Sequence, residues 1–317
     1  MLMVNIFALD IGGTKTACGI YDENLNPLRR WKLPTGKSLP EIEGAILKAC
    51  RTSCEGNEIA AIGISAAGNI SPDGRTIAFS TNIPSWIDYP LAKIIEDDLN
   101  IPVIVENDAN SAGWAEFVLG SGQGSCNMVM VTLGTGMGGA LVLNKELYRG
   151  SFGMAGEVGH LPMASSGLPC GCGLFGCAEK YASGTALETF AKQAVRRDPE
   201  AGAKLLEFSG GSAEKITGSS VFAAAEAGDA LSLSVFRETG EWLGKTLAAI
   251  SAVLDPDTYV LGGSGASPLL VSEARSSYPK FLQASFFRPH AEIKLAKFGG
   301  DAGLIGAADL ALRKVKG

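Results

Sequence analysis

Only two histidines, His160 and His290, occur in the 317 residues, so any imidazole chemistry is confined to two positions. Charged residues are sparse at 19% and aromatics at 7%, beside 46% hydrophobic residues. That balance excludes disordered and fibrous classes and supplies a sizeable core. An excess of positive charge is also missing. The 27 Lys and Arg against 33 Asp and Glu leave a net charge of −6, which provides no basic field for a nucleic-acid backbone or an anionic membrane. No apolar run reaches the roughly 18 residues that span a bilayer. The opening MLMVNIFALDIGG has no basic segment ahead of its apolar one, so no signal peptide is expected. These absences predict a cytoplasmic protein without nucleic-acid or membrane partners. Pro/Ser-rich linkers and low-complexity segments are absent as well. Two domains are the prior at this length, and their boundary must be a hinge, which we place near Gly120.

What is abundant is glycine, with 41 residues, many in GG or GTG steps just after apolar runs. Such steps occur where backbone turns sharply or approaches a ligand closely. The first begins a hairpin: strand VNIFALDI, turn Gly12 and Gly13, returning strand TACGIYD, then a third strand LRRWKLP. Helical spacing marks LPEIEGAILKACRTSC, and IAAIGISAAG reads as a buried strand, giving βββαβ order. We expect a helix over IDYPLAKIIEDDL, a strand IPVIVEN and a helix from Asp108. NMVMVTLGTGMGGALVLNKEL then repeats the opening strand-turn-strand pattern, which implies two related halves. Further helices are expected over ASGTALETFAKQAVRR, SSVFAAAEAGD, Asp229 to Leu254 and AGLIGAADLALRKVK, with strands at TYVLGGSGAS and IKLAKFGG.

Six segments carry candidate chemistry. DIGGTK (Asp10 to Lys15) and GTGMGG (Gly134 to Gly139) can aim backbone amides at anionic oxygens, and a third strand-to-glycine element holds Gly262, Gly263 and Gly265. A ligand-free hairpin accounts for any one of them; three separated elements fit a nucleoside triphosphate. VIVENDAN sets Glu106, Asn107 and Asp108 where a strand gives way to a helix. Asp108 there can take a proton from a hydroxyl nucleophile or simply cap the helix. GEVGH carries Glu157 and His160, and CGCGLFGC supplies Cys170, Cys172 and Cys177. Three thiols and an imidazole match a closed tetrahedral zinc site; buried free thiols are the alternative. The other cysteines, Cys18, Cys50, Cys54 and Cys126, are scattered, and His290 is read as structural.

DIGGTK, ENDAN, LGTGMGG, GEVGH and CGCGLFGCAE, in this order, resemble the ROK family of sugar kinases and sugar-responsive repressors over essentially the whole chain. AEKYASGTAL and NMVMVTLGTG are most similar to its glucokinase branch. The resemblance implies an actin-like, hexokinase-like ATPase fold: two α/β domains with duplicated βββαβα units around an active-site cleft. It returns the last helix to the first domain, giving residues 1–119 with 300–317 and residues 120–299. It implies ATP-dependent phosphorylation of a sugar 6-hydroxyl, with glucose expected and N-acetylglucosamine or N-acetylmannosamine as alternatives, in a homodimer or homotetramer. By the same carry-over Asp108 is the general base, and Gly68, Asn69, Thr81, Asn107, Glu157, His160 and Glu179 bind the sugar. Asp10 holds Mg²⁺ through water. Gly12, Gly13, Thr14, Lys15, Gly134, Thr135, Gly136, Gly138 and Gly139 cradle phosphates, and His160, Cys170, Cys172 and Cys177 bind zinc. Two departures face the sugar. Asn69 stands where some amino-sugar kinases of the family carry Arg, and STN at 80–82 replaces the PN step of many glucokinases. The family's regulators carry an N-terminal helix-turn-helix, for which a first strand starting at about residue 4 is expected to leave no room.

Overall fold

A computed structural model describes residues 5–80 and 83–316. The opening is the predicted βββαβ: β1 (Asn5–Ile11), β2 (Lys15–Tyr21), β3 (Pro27–Pro34), α1 (Leu39–Cys54) and β4 (Ile59–Ala66). The α1 sequence buries Ile42, Ile46, Ala49 and Cys50, one stripe at three- and four-residue spacing, with Glu41 in the first turn and Arg51 in the last. Three short strands follow: β5 (Asn69–Ile70), β6 (Ile77–Phe79) and β7 (Ile87–Tyr89). They pair antiparallel in a small sheet of their own. Here the sequence reading is corrected, since the helix expected from Ile87 starts only at Leu91, as α2 (Leu91–Leu99). Pro90 is the cause: it disfavours helical backbone at Tyr89, which stays extended. Next come β8 (Val103–Asn107) and α3 (Asp108–Leu119), as expected.

The repeat holds β9 (Met128–Leu133), β10 (Met137–Leu143) and β11 (Glu146–Tyr148). Helices then dominate: α4 (Glu179–Ala182), α5 (Gly184–Arg197), α6 (Ala203–Phe208), α7 (Gly218–Glu226) and α8 (Ala230–Leu254). Ser183 splits α4 from α5 because its hydroxyl accepts the Ala186 amide at 3.1 Å, capping a new helix. The chain ends with β12 (Thr258–Gly262), α9 (Pro268–Phe281), β13 (Glu292–Leu295) and α10 (Ala302–Lys316). The two main sheets have strand orders β3-β2-β1-β4-β8 and β11-β10-β9-β12-β13. Read by rank along the chain, both are third-second-first-fourth-fifth, with the last three parallel. The duplication visible in the glycine turns is therefore a duplication of topology. No described helix is long and apolar enough to cross a membrane.

By internal packing the chain forms two compact units, one of residues 1–124, 140–156 and 300–317, the other of residues 125–139 and 157–299. In the first, alternate residues of the parallel strands (Phe7, Leu9, Ile62, Ile64, Val103, Val105) join Ile42 and Ile46 of α1 in one core. The opposite face of this sheet is covered by α10, which packs on β1, β4 and α3. Parallel strands need both faces covered, and here the cover is close. A Cβ on Gly63 would stand 2.0 Å from the Ala307 carbonyl oxygen. Gly63→Val is accordingly expected to destabilise the protein by about 1–3 kcal/mol through overpacking. An unchanged thermal midpoint would contradict this docking of α10.

Candidate active site

In the first unit the β1–β2 turn is tight. Gly12 donates its amide to the Lys15 carbonyl at 3.1 Å, so this amide builds the turn, while Gly13, Thr14 and Lys15 are exposed at its tip. Asp10, at the end of β1, accepts from the buried Ser65 hydroxyl at 2.6 Å. Burial raises its carboxyl above the ordinary range, the Ser65 hydrogen bond opposes this, and repulsion from Asp108 adds to it. Asp10 and Asp108 are thus close enough to feel each other's charge. The start of α10 backs onto Asp10: a Cβ on Gly303 would meet its Oδ1 at 2.8 Å.

At the β8–α3 junction the cap belongs to Asn107, whose side-chain oxygen accepts the Asn110 amide at 3.0 Å. The capping alternative for Asp108 is thereby displaced by one residue. Asp108 is exposed in the first helical turn, with Oδ1 accepting from the Ala109 amide at 2.9 Å and from Asn107 Nδ2 at 3.1 Å. Asn107 Nδ2 also reaches the Gly68 carbonyl at 3.0 Å. Gly68 (φ +141) turns the chain out of β4 into Asn69, and a Cβ there would meet the Phe79 carbonyl oxygen at 2.7 Å. Thr81, the remaining sugar-side candidate, lies outside the described residues.

In the second unit the Gly134-Thr135-Gly136 turn closes on itself through Gly134 N–H to the Gly136 carbonyl, 3.0 Å. Gly138 and Gly139 lie beyond it, within β10. The Gly262 element is tied to the same turn, since Gly265 donates to the Leu133 carbonyl at 2.8 Å and Gly184 to the Gly134 carbonyl at 2.9 Å. Gly134, Thr135 and Gly265, but not Gly136, Gly262 or Gly263, line a cavity of about 620 Å³ with Thr185, Glu188, Thr217, Gly218, Ser219 and Phe222, a size that suits a nucleotide. Those six residues were missed from sequence. The available signal was the pair of cap residues, Ser183 ahead of Gly184 and Thr217 ahead of Gly218, which mark two helix starts; the Gly184 and Gly218 amides themselves are engaged, by the Gly134 carbonyl at 2.9 Å and Glu188 Oε1 at 2.8 Å.

One ligand atom from each of His160, Cys170, Cys172 and Cys177 lies within 4.8 Å of the others. Cys172 and Cys177 sulfurs are 3.6 Å apart, and Cys170 Sγ is 3.6 Å from His160 Nδ1. A tetrahedron with Zn–S bonds of about 2.3 Å has edges of roughly 3.8 Å, so the donor set fits that ion. Burial pushes the Cys170 thiol up to about 12 and raises Cys177 as well; a divalent cation offsets such a cost by stabilising thiolates. Glu179 connects this loop to the glycine turn. Its Oε1 accepts from Cys170 Sγ at 3.0 Å, and its Oε2 is 2.7 Å from where a Gly136 Cβ would stand. His160 Nε2, the nitrogen turned from the thiols, is 3.9 Å from Glu157 Oε2. His290 sits apart from both sets, beside Ser285 and Tyr278.

A two-unit α/β protein with duplicated sheets and paired glycine turns is of the class of hexokinase-like kinases. Residues 6–314 match the ROK family, and the chain belongs to it. It is 41% identical over 305 residues to the glucokinase of Streptomyces coelicolor, covering 96% of each chain. To the N-acetylmannosamine kinase of Yersinia pseudotuberculosis it is 31% identical over 301 residues, covering 95% of this chain and 96% of that one. The crystal structure of a ROK family glucokinase from Streptomyces griseus in complex with glucose and AMPPNP superposes with a TM-score of 0.84 at 40% identity, covering 98% of this chain and 99% of that one.

Proposed function

We propose that this chain is an ATP-dependent glucokinase that transfers the γ-phosphoryl group of ATP to the 6-hydroxyl of glucose. Asp108 carries the reading: it is an exposed carboxylate at the start of α3, relieved of capping by Asn107 and held by two hydrogen bonds. In the reaction it accepts the 6-hydroxyl proton as that oxygen attacks phosphorus, while Asn107 and the Gly68–Asn69 turn hold neighbouring hydroxyls. Phosphoryl transfer asks the protein mainly for alignment and charge stabilisation. We assign the phosphates to the exposed tip at Gly13, Thr14 and Lys15 and to the Gly134–Gly136 turn, and the adenosine to the 620 Å³ cavity. Asp10 would hold Mg²⁺ through water, which neutralises charge on the phosphates. Glu157, His160 and Glu179 are assigned to sugar hydroxyls. Zinc on Cys170, Cys172, Cys177 and His160 Nδ1 would rigidify the loop and leave His160 Nε2 for the sugar. We place the enzyme in the cytoplasm as a homodimer or homotetramer.

Higher identity to the glucokinase than to the N-acetylmannosamine kinase favours glucose. A coupled assay over glucose, mannose, N-acetylglucosamine and N-acetylmannosamine tests this. The highest kcat/KM is expected for glucose; a preference for either acetylated sugar would overturn the substrate assignment.

The glycine turns separate the two substrates experimentally. Gly136→Val would disturb both, because its side chain strikes Glu179. At Gly134 a Cβ meets only Ser264 Oγ, at 3.9 Å, so Gly134→Val should leave the fold intact while its side chain intrudes on the cavity wall. It is expected to raise KM for ATP at least about tenfold, a loss of roughly 1.4 kcal/mol, with glucose binding retained. Unchanged ATP kinetics would remove the nucleotide from this cavity.

A further inference from the structure

Glu106 is a carboxylate at the end of β8 that is only 2% exposed. Its Oε2 accepts from Arg149, with Nε and Nη2 both at 2.7 Å. Arg149 follows β11, 43 residues further along the chain. The other oxygen, Oε1, accepts from the Asn107 amide at 3.0 Å and from Asn110 Nδ2 at 2.9 Å. Every donor on Oε1 therefore belongs to the segment that presents Asp108. From there the network continues through Asn107, whose Nδ2 bonds Asp108 Oδ1 at 3.1 Å and whose Oδ1 receives the Asn110 amide at 3.0 Å.

We propose that Arg149 and Glu106 form a positioning pair that fixes the Asp108 carboxylate for proton abstraction, Arg149 acting through Glu106 and Asn107; the proposal rests on Asp108 being the base. A buried ion pair is a poor device for stability alone, because apolar side chains of similar volume fill the same space at least as well. What apolar side chains cannot supply is direction. Arg149 presents a planar fork to one carboxylate oxygen, which orients Glu106 so that its second oxygen holds both Asn107 and Asn110. Charge matters too. Glu106 lies two residues from Asp108, and the guanidinium balances this second carboxylate. Loss of the fork lets Glu106 swing, frees the Asn107 amide and Asn110 side chain, and leaves the Asp108 rotamer without its Asn107 support. Misplacement of a catalytic group by about 1 Å can cost a hundredfold in rate.

The test compares Arg149→Met, Arg149→Lys and Asp108→Asn in the full chain, measuring kcat, KM for both substrates, glucose Kd by calorimetry and the thermal midpoint. Arg149→Met is expected to lower kcat about tenfold to a hundredfold with glucose Kd changed less than about threefold. Arg149→Lys, which keeps the charge but not the fork, should recover part of kcat. Wild-type kcat in folded Arg149→Met overturns the proposal, as does a loss confined to the thermal midpoint. Should the methionine variant not fold, the lysine variant carries the test on the same terms, with reduced kcat at unchanged Kd expected. Asp108→Asn separates the two levels. Full activity there removes the base itself, whereas an inactive Asp108→Asn beside an unimpaired Arg149→Met removes only the positioning pair.

Discussion

Asp108→Asn is expected to yield a folded protein that binds glucose and phosphorylates it roughly 10²- to 10⁴-fold more slowly. The substitution is a clean one. Asn107, not Asp108, satisfies the orphan amide at the start of α3, so the cap survives. The two bonds that Asp108 Oδ1 accepts, from the Ala109 amide and Asn107 Nδ2, are equally available to an asparagine oxygen. At an exposed position with these two bonds conserved, the change in stability should stay within about 0.5 kcal/mol. Only basicity is lost, since an amide does not take up the hydroxyl proton. Calorimetry should report near wild-type glucose affinity while kcat collapses. A variant that keeps kcat would show that Asp108 does not act as the base.

Metal removal is the second large effect. Purified protein is expected to contain about one zinc per chain, and Cys172→Ser to lose it, with a lower thermal midpoint and glucose affinity reduced at least about tenfold. Cys172 suits the test because it is exposed, whereas Cys170 and Cys177 are buried and their replacement would also perturb packing. On the proposed assignment the coupling to glucose runs through His160, which faces the Cys170 sulfur with one ring nitrogen and points the other away. Glu179 shares that fate, being hydrogen-bonded to Cys170. Full activity in protein shown by elemental analysis to be metal-free would contradict the assignment.

Much of the architecture was legible because local and global signals agree. The bounds of α1 and α10 coincide with their apolar stripes, and the second glycine turn announced a second sheet of the same strand order. The reading failed where a local signal overruled periodicity. Pro90 holds Tyr89 extended within what looks like a helix, so the small three-stranded sheet went unseen. The sequence reading put the possible cap on Asp108, whereas Asn107 carries it, a shift of one residue that backbone geometry decides. In α9, prolines at positions 268 and 279 obscured a helix. The nucleotide-sized cavity was out of reach for another reason. It takes Glu188 from α5 and Phe222 from α7 alongside the turns at Gly134 and Gly265, a grouping created by tertiary packing, of which the sequence marks only the two capped helix starts. Glu106 was placed beside the base by sequence, but its partner Arg149, 43 residues on, was not.

The most direct measurement of the central claim is the product itself. Incubation of the purified chain with ATP, Mg²⁺ and glucose, followed by ³¹P and ¹³C NMR, should show stoichiometric ADP and a phosphate ester coupled to carbon 6 of glucose. ATP consumption without a sugar ester, or an ester on another carbon, would contradict the account.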